Sequence, residues 1–144
     1  NIEGGKDWGV NLCGDKIGFG VEDTTILSKR NVVTGRWVFV AAVRDFKKGK
    51  IELYINGVYQ GDAGDVAKKV VLDGTPEIFV GAVHAGPKYE KSFYAGCIDE
   101  LTIYDKALSA GKIRKLYEEL NPYEKRKQKP GEKHKQTGYE PGNI

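Results

Sequence analysis

Apolar and polar positions alternate most clearly over residues 50–60, K-I-E-L-Y-I-N-G-V-Y-Q, where Ile51, Leu53 and Ile55 interleave with Glu52 and Tyr54. A repeat of two is the mark of a half-buried strand. Asn56-Gly57 follows at once. Two residues that tolerate positive φ favour a type I′ turn, so Val58, Tyr59 and Gln60 begin the return strand of a tight hairpin.

The same period recurs upstream. Val10 and Leu12 mark a strand over residues 8–13, Gly14-Asp15 turns the chain, and Ile17, Phe19 and Val21 mark the return over 16–21. Residues 22–36 read as a polar loop with a β-branched patch at 24–27. The near-continuous apolar run at 36–44 (R-W-V-F-V-A-A-V-R) predicts a central strand covered on both faces, with Trp37 anchoring the core. A charged turn at 45–49 leads into the Asn-Gly hairpin. Beyond a Gly/Asp-rich loop at 61–69, short apolar runs predict strands at 70–72 and 78–83, with Gly81 marking a bulge or close backbone approach. A loop at 84–92 precedes a long strand at 93–104, F-Y-A-G-C-I-D-E-L-T-I-Y, with Cys97, Leu101 and Ile103 on one face.

Only near the end does the period change. Ser109 is placed to cap a helix, and Ile113, Leu116, Tyr117 and Leu120 form a single stripe at helical spacing. Pro122 disfavours helix in the residue before it, so the helix should end at Leu120 or Asn121. Short strands, turn signals between them and one late helix predict an all-β class, an antiparallel β-sandwich with one short C-terminal helix. Residues 121–144 hold three prolines and few aliphatics, too little to offset ordering entropy. The expected division is therefore a sandwich domain over 1–120 and an extended tail over 121–144, free or laid on a partner.

Composition changes this picture little. The chain of 144 residues is 40% hydrophobic and 30% charged, as expected of one globular domain. No stretch approaches the roughly 18 consecutive apolar residues of a membrane span. Asn1 comes first and Met is absent, so the chain is expected to be a mature fragment, a processed chain or an excised piece; the lack of a signal peptide then says nothing about export. The net charge of +3 sits wholly in the tail, where six Lys/Arg face three Glu, and the body is neutral. With only Tyr123 and Tyr139 beside those lysines, a nucleic-acid partner is not expected. Cys13 and Cys97 read either as a disulfide of an exported protein or as two small buried hydrophobes.

The order Trp37-Val-Phe-Val-Ala, Ile51-Glu-Leu-Tyr-Ile-Asn-Gly57, Ile78-Phe-Val-Gly81, Phe93-Tyr-Ala-Gly-Cys-Ile-Asp-Glu-Leu101, Tyr104-Asp-Lys-Ala-Leu-Ser109 resembles the LamG-like family, laminin G type 3 within the concanavalin A-like lectin/glucanase jelly rolls. That family shows W-x-x-V-A, L-Y-V-N-G, I-G, F-x-G-x-I-D-E-V and Y-x-R-A-L-S in this order, and the similarity covers about residues 8–120. The strands that usually precede this part are lacking, and the Lys-rich tail is outside the family pattern. An open sheet edge is something proteins normally cover, so the expectation is that another segment or chain supplies those strands or that the family's first strands are replaced. The resemblance implies a non-catalytic carbohydrate-binding or adhesion module of a larger extracellular or cell-surface protein. Its partners would be a glycan or glycoprotein, together with other protein chains. The second reading is a structural or assembly domain binding chains through its open edge and tail. A glycan-active enzyme is third, because the paired acids of the glucanases (E-x-D-x-x-E) are absent and Asp99-Glu100 would point to opposite faces of a strand.

A sugar site needs aromatic faces with polar groups at the rim. Trp8, Tyr54, Tyr59, His84 and Tyr89 are the carbohydrate-binding candidates, with Asn11, Arg44 and Gln60 as hydrogen-bonding neighbours. The competing reading makes the tyrosines cross-strand packing residues and Trp8 a core residue. No catalytic residue is nominated and no cofactor is required. A structural calcium, which the resemblance allows, would draw on Asp62, Asp65 and Asp99, with Asp73 a further loop acid; the alternative is that these residues make turns.

Overall fold

The computed structural model describes residues 7–67, 72, 78–82 and 93–121. Within them, six strands form two three-stranded antiparallel sheets. The first sheet runs β1 (Trp8–Cys13), β2 (Lys16–Val21), β3 (Thr24–Leu27), and the second β4 (Val40–Asp45), β5 (Lys50–Ile55), β6 (Val58–Gly64). One helix, α1 (Ala110–Leu120), follows.

The turns expected from sequence are present. Cys13 pairs with Lys16 across Gly14-Asp15, and Ile55 pairs with Val58 across Asn56-Gly57. Asn56 and Gly57 have φ of 51° and 71°, the left-handed pair that a two-residue hairpin of this twist requires. Residues 24–27, expected within a loop, are instead a strand: Glu22 takes positive φ (46°) in a second tight turn, and the β-branched patch pairs back on β2. The charged turn at 45–49 is a single 3-10 turn, with the Asp45 carboxylate accepting from the Lys48 amide (3.1 Å) and Gly49 closing it in left-handed backbone.

The sheets stack through alternate side chains. Phe19 and Val21 of β2 meet Ile51 and Leu53 of β5, with Ile17, Ile26, Val40, Ala42, Ala63 and Leu72 around them. The opposite face of the second sheet carries Val43 and Tyr54, and α1 covers it with Ile113, helped by Phe39, Ala41 and Leu108. The second sheet is thus a middle layer with a core on each face. Of the α1 stripe, Ile113 is fully buried, Leu116 and Tyr117 are half-buried and Leu120 is exposed. Ser109 Oγ accepts from the Lys112 amide (3.3 Å), the expected cap, and the helix stops at Leu120.

Three expectations need correction. The strand read at 36–44 begins only at Val40, and Trp37 is 55% exposed in the preceding loop, not a core anchor. The strands read at 78–83 and 93–104 shrink, among the described residues, to one bridge between Ala82 and Phe93, beside which the Tyr94 amide donates to the Gly81 carbonyl (2.8 Å). Alternation makes a strand only where a neighbour offers a ladder, and no described strand pairs with 97–104, so Leu101 and Ile103 lie exposed. Cys13 and Cys97 are free thiols and both exposed, neither bridged nor buried. The strand expected at 70–72, apart from Leu72, and the tail beyond Asn121 lie outside the described residues.

Candidate functional site

The loop joining β3 to β4, residues 28–39, is the most strongly anchored irregular segment of the described chain. Ser28 is buried at its start. Its hydroxyl accepts from the Ile17 amide (3.1 Å) and donates to the Arg30 carbonyl (2.7 Å). A second anchor comes from the other sheet. β5 pairs Leu53 with Gly61 and Tyr54 with Tyr59, which leaves Gln60 as the extra residue of a β-bulge. The bulge turns its side chain inward, 2% exposed, where Oε1 accepts from the Lys29 (3.2 Å) and Arg30 (3.1 Å) amides and Nε2 donates to the Val58 carbonyl (3.0 Å). Midway, the Val32 amide donates to the Asp15 carbonyl (2.6 Å). At the far end, Asn56 pairs twice with Phe39: its Oδ1 accepts from the Phe39 amide (2.9 Å) and its amide donates to the Phe39 carbonyl (2.8 Å).

This loop and Asn56 of the Asn-Gly turn flank an open concavity of about 400 Å³. It is lined by the apolar Val38 and Ile55, the polar Asn31, Thr34 and Asn56, two arginines, Arg30 and Arg36, and Trp37. No carboxylate lines it among the described residues. Among the described residues, neither Arg30 nor Arg36 takes part in an ion pair. The sequence reading missed this site because an apolar run around Trp37 resembles a strand. The available signal was R-N-V-V-T-G-R-W itself, in which two arginines, an amide, a hydroxyl and a Trp fall within eight residues without an acid.

The sequence-nominated residues are scattered. Trp8 stands on the open edge strand β1, 46% exposed, and Tyr59 is exposed on β6 with its hydroxyl donating to the Asp62 carboxylate. Tyr54 is only 3% exposed, so the expectation of a surface aromatic fails: on the helix-covered face of β5 its ring packs edge-on to Tyr59 at 5.6 Å. Its hydroxyl donates to Glu52 (3.2 Å), and Glu52 also pairs with Lys50. Burial, reinforced by the Glu52 carboxylate, pushes the Tyr54 phenol above its ordinary range. His84 and Tyr89 lie outside the described residues. Of the polar neighbours, Asn11 donates to Cys13 Sγ (3.3 Å), Gln60 is the buried latch above, and Arg44 pairs with Asp65 at 2.8 Å beside the Phe46 ring.

The acids nominated for calcium each accept a hydrogen bond within the chain. Asp62 accepts from Tyr59, Asp65 holds Arg44 and the Ala67 amide (3.2 Å), and Asp99 accepts from the Glu100 amide (2.8 Å). Among the described residues no three acids, histidines or cysteines gather as a metal would need. Asp73 lies outside them.

Two stacked antiparallel sheets with a helix on the outer face define a β-sandwich of concanavalin A-like type. The chain matches the Laminin_G_3 family model, described as the concanavalin A-like lectin/glucanases superfamily, over residues 3–114, and it belongs to that family. It is also similar to a solved structure of residues 221–444 of an S-layer domain-containing protein from Clostridium thermocellum ATCC 27405, with 26% identity and a TM-score of 0.49. That likeness covers 80% of this chain and 58% of the other. No curated protein matches the chain significantly. No helix among the described residues is long and apolar enough to cross a membrane.

Proposed function

We infer that this domain is a non-catalytic carbohydrate-binding or adhesion module of a larger extracellular or cell-surface protein. The observation that carries the reading is the cavity of the β3–β4 loop, where the exposed indole of Trp37 stands beside Asn31, Thr34, Arg30 and Arg36. An aromatic face takes the C–H side of a pyranose, and amide, hydroxyl and guanidinium groups take its hydroxyls. Glycosidase chemistry would call for two carboxylates about 5–10 Å apart across the bond, and none lines the cavity among the described residues. Family membership supports the same reading, since LamG-like domains are generally non-catalytic. Trp8 and Tyr59 stay as secondary aromatic contacts.

The test is a glycan array followed by calorimetry on the chain. Binding of a glycan without turnover is expected, and Trp37→Ala should abolish most of it. Hydrolysis of a bound polysaccharide, or silence across the array, would sink the reading.

A second reading has its own observation. Trp8, Val10 and Leu12 of β1 pair with Val21, Phe19 and Ile17, so all six share the inner face of the sheet, yet the β1 residues are more than 40% exposed. An edge strand with an uncovered apolar face and no Lys or Pro on it is suited to receive another strand. In this reading the open edge, with the tail, binds a further protein segment or chain.

A further inference from the structure

We propose that the cavity between the β3–β4 loop and the Asn56-Gly57 turn is a site for an acidic saccharide, one whose sugar ring carries a carboxylate. The proposal rests on the carbohydrate-binding reading and narrows its ligand.

Charge is the first observation. Arg30 and Arg36 line one cavity, and among the described residues no carboxylate lines it with them and neither has an ion-pair partner. Five other cations of the described chain do have such partners: Arg44 with Asp65, Lys48 with Asp45, Lys50 with Glu52, Arg114 with Glu118 and Lys115 with Glu119. Two like charges around one concavity repel, and an anion entering between them relieves that repulsion. A guanidinium offers a planar fork of donors that fits a carboxylate through two parallel hydrogen bonds.

The second observation is the company those charges keep. An inorganic anion would need only the arginines. Here the indole of Trp37 lies beside them, with the Asn31 amide and the Thr34 hydroxyl in the same lining. An apolar ring face, hydroxyl partners and a paired cationic fork together describe a sugar acid. At about 400 Å³ the cavity also falls in the roughly 300–1,000 Å³ range of small-ligand sites.

The third is rigidity. Ser28 and Gln60 hold the loop at its start, Asp15 in the middle and Asn56 at its end, so the backbone carrying the recognising side chains is fixed before a ligand arrives. Ordering that is already in place is not charged against affinity.

The test is calorimetric titration of the chain with oligogalacturonate, with a neutral galacto-oligosaccharide of equal length, and with inorganic phosphate. The acidic oligosaccharide should bind at least about tenfold more tightly than the other two, and its affinity should fall as salt screens the site. Arg30→Gln and Arg36→Gln, both at exposed side chains, should each cut acidic-sugar affinity about tenfold or more, a larger factor than for the neutral sugar. Arg36→Lys, which keeps the charge without the fork, should not restore it. Equal binding of acidic and neutral sugars would overturn the proposal while leaving carbohydrate binding intact. Phosphate binding as tight as the sugar acid, or full affinity in both arginine variants, would overturn it as well. Loss of binding to every saccharide would bring down both readings together.

Discussion

Gly57 carries two constraints at once. Its φ of +71° is a conformation other residues reach only with strain, and a Cβ there would stand 3.1 Å from Tyr117 Cδ1 and 3.4 Å from the Arg114 backbone. The turn that joins β5 to β6 is therefore also the floor on which α1 rests. Left-handed backbone costs a non-glycine residue about 1–2 kcal/mol and overpacking about 1–3 kcal/mol. Gly57→Ala should accordingly lower stability by roughly 2–5 kcal/mol in urea unfolding. Gln60 is similar in kind. Removing its amide leaves the Lys29 and Arg30 N–H groups without their acceptor, and Gln60→Ala is expected to cost about 2–3 kcal/mol. Tyr54 gives a pH signature. The folded chain holds the phenolic proton more tightly than the unfolded chain, so stability is unaffected below the ordinary value of 10.0 and declines as pH rises above it. Urea midpoints between pH 8 and 11 should show this decline, and Tyr54→Phe should lessen it.

At the scale of the element, α1 shows how one short helix is kept. Its eleven residues are few for an isolated helix, and it depends on its cap and its buried face. Ser109→Ala should cost about 1 kcal/mol. Ile113→Ala, at a fully buried position on the second core, should cost about 2–5 kcal/mol and can be read by thermal melting. The helix, the hairpins at Gly14-Asp15 and Asn56-Gly57, and the inward sets Ile17, Phe19, Val21 and Ile51, Leu53 were all legible in the sequence. Each is dictated by local chemistry: a cap, a pair of positive-φ residues, or a period of two. What failed was non-local. Trp37 lies in an apolar run that looks like strand, but β5 ends at the Asn56-Gly57 turn: its last contacts reach Phe39, and among the described residues no strand pairs with 36–38. Tyr54 looks like an outward residue of a hairpin because nothing near it in sequence announces the helix that covers it. The cavity was hidden for the same reason, since its walls come from a loop and from a turn of the other sheet.

For the whole molecule, the two sheets are unequal. The second has a core on each face, whereas Trp8, Val10 and Leu12 of β1 in the first are each more than 40% exposed. Contiguous exposed apolar surface drives association. The chain on its own should bind a hydrophobic dye and self-associate as its concentration rises, and Val10→Lys should reduce both, as read by fluorescence and by light scattering. Because Val10 lies on the first sheet, away from the cavity lining, this substitution should leave saccharide affinity untouched.

The bulge at Gln60 has a consequence for how the module can change. Its carboxamide grips only main-chain atoms of the loop, and so does Asn56 at the opposite end. Neither contact depends on which side chains occupy positions 31–36. That stretch behaves like an interchangeable cassette clipped into a fixed frame, so its specificity can be rewritten by exchanging the insert while the surrounding barrel of contacts is left as it was.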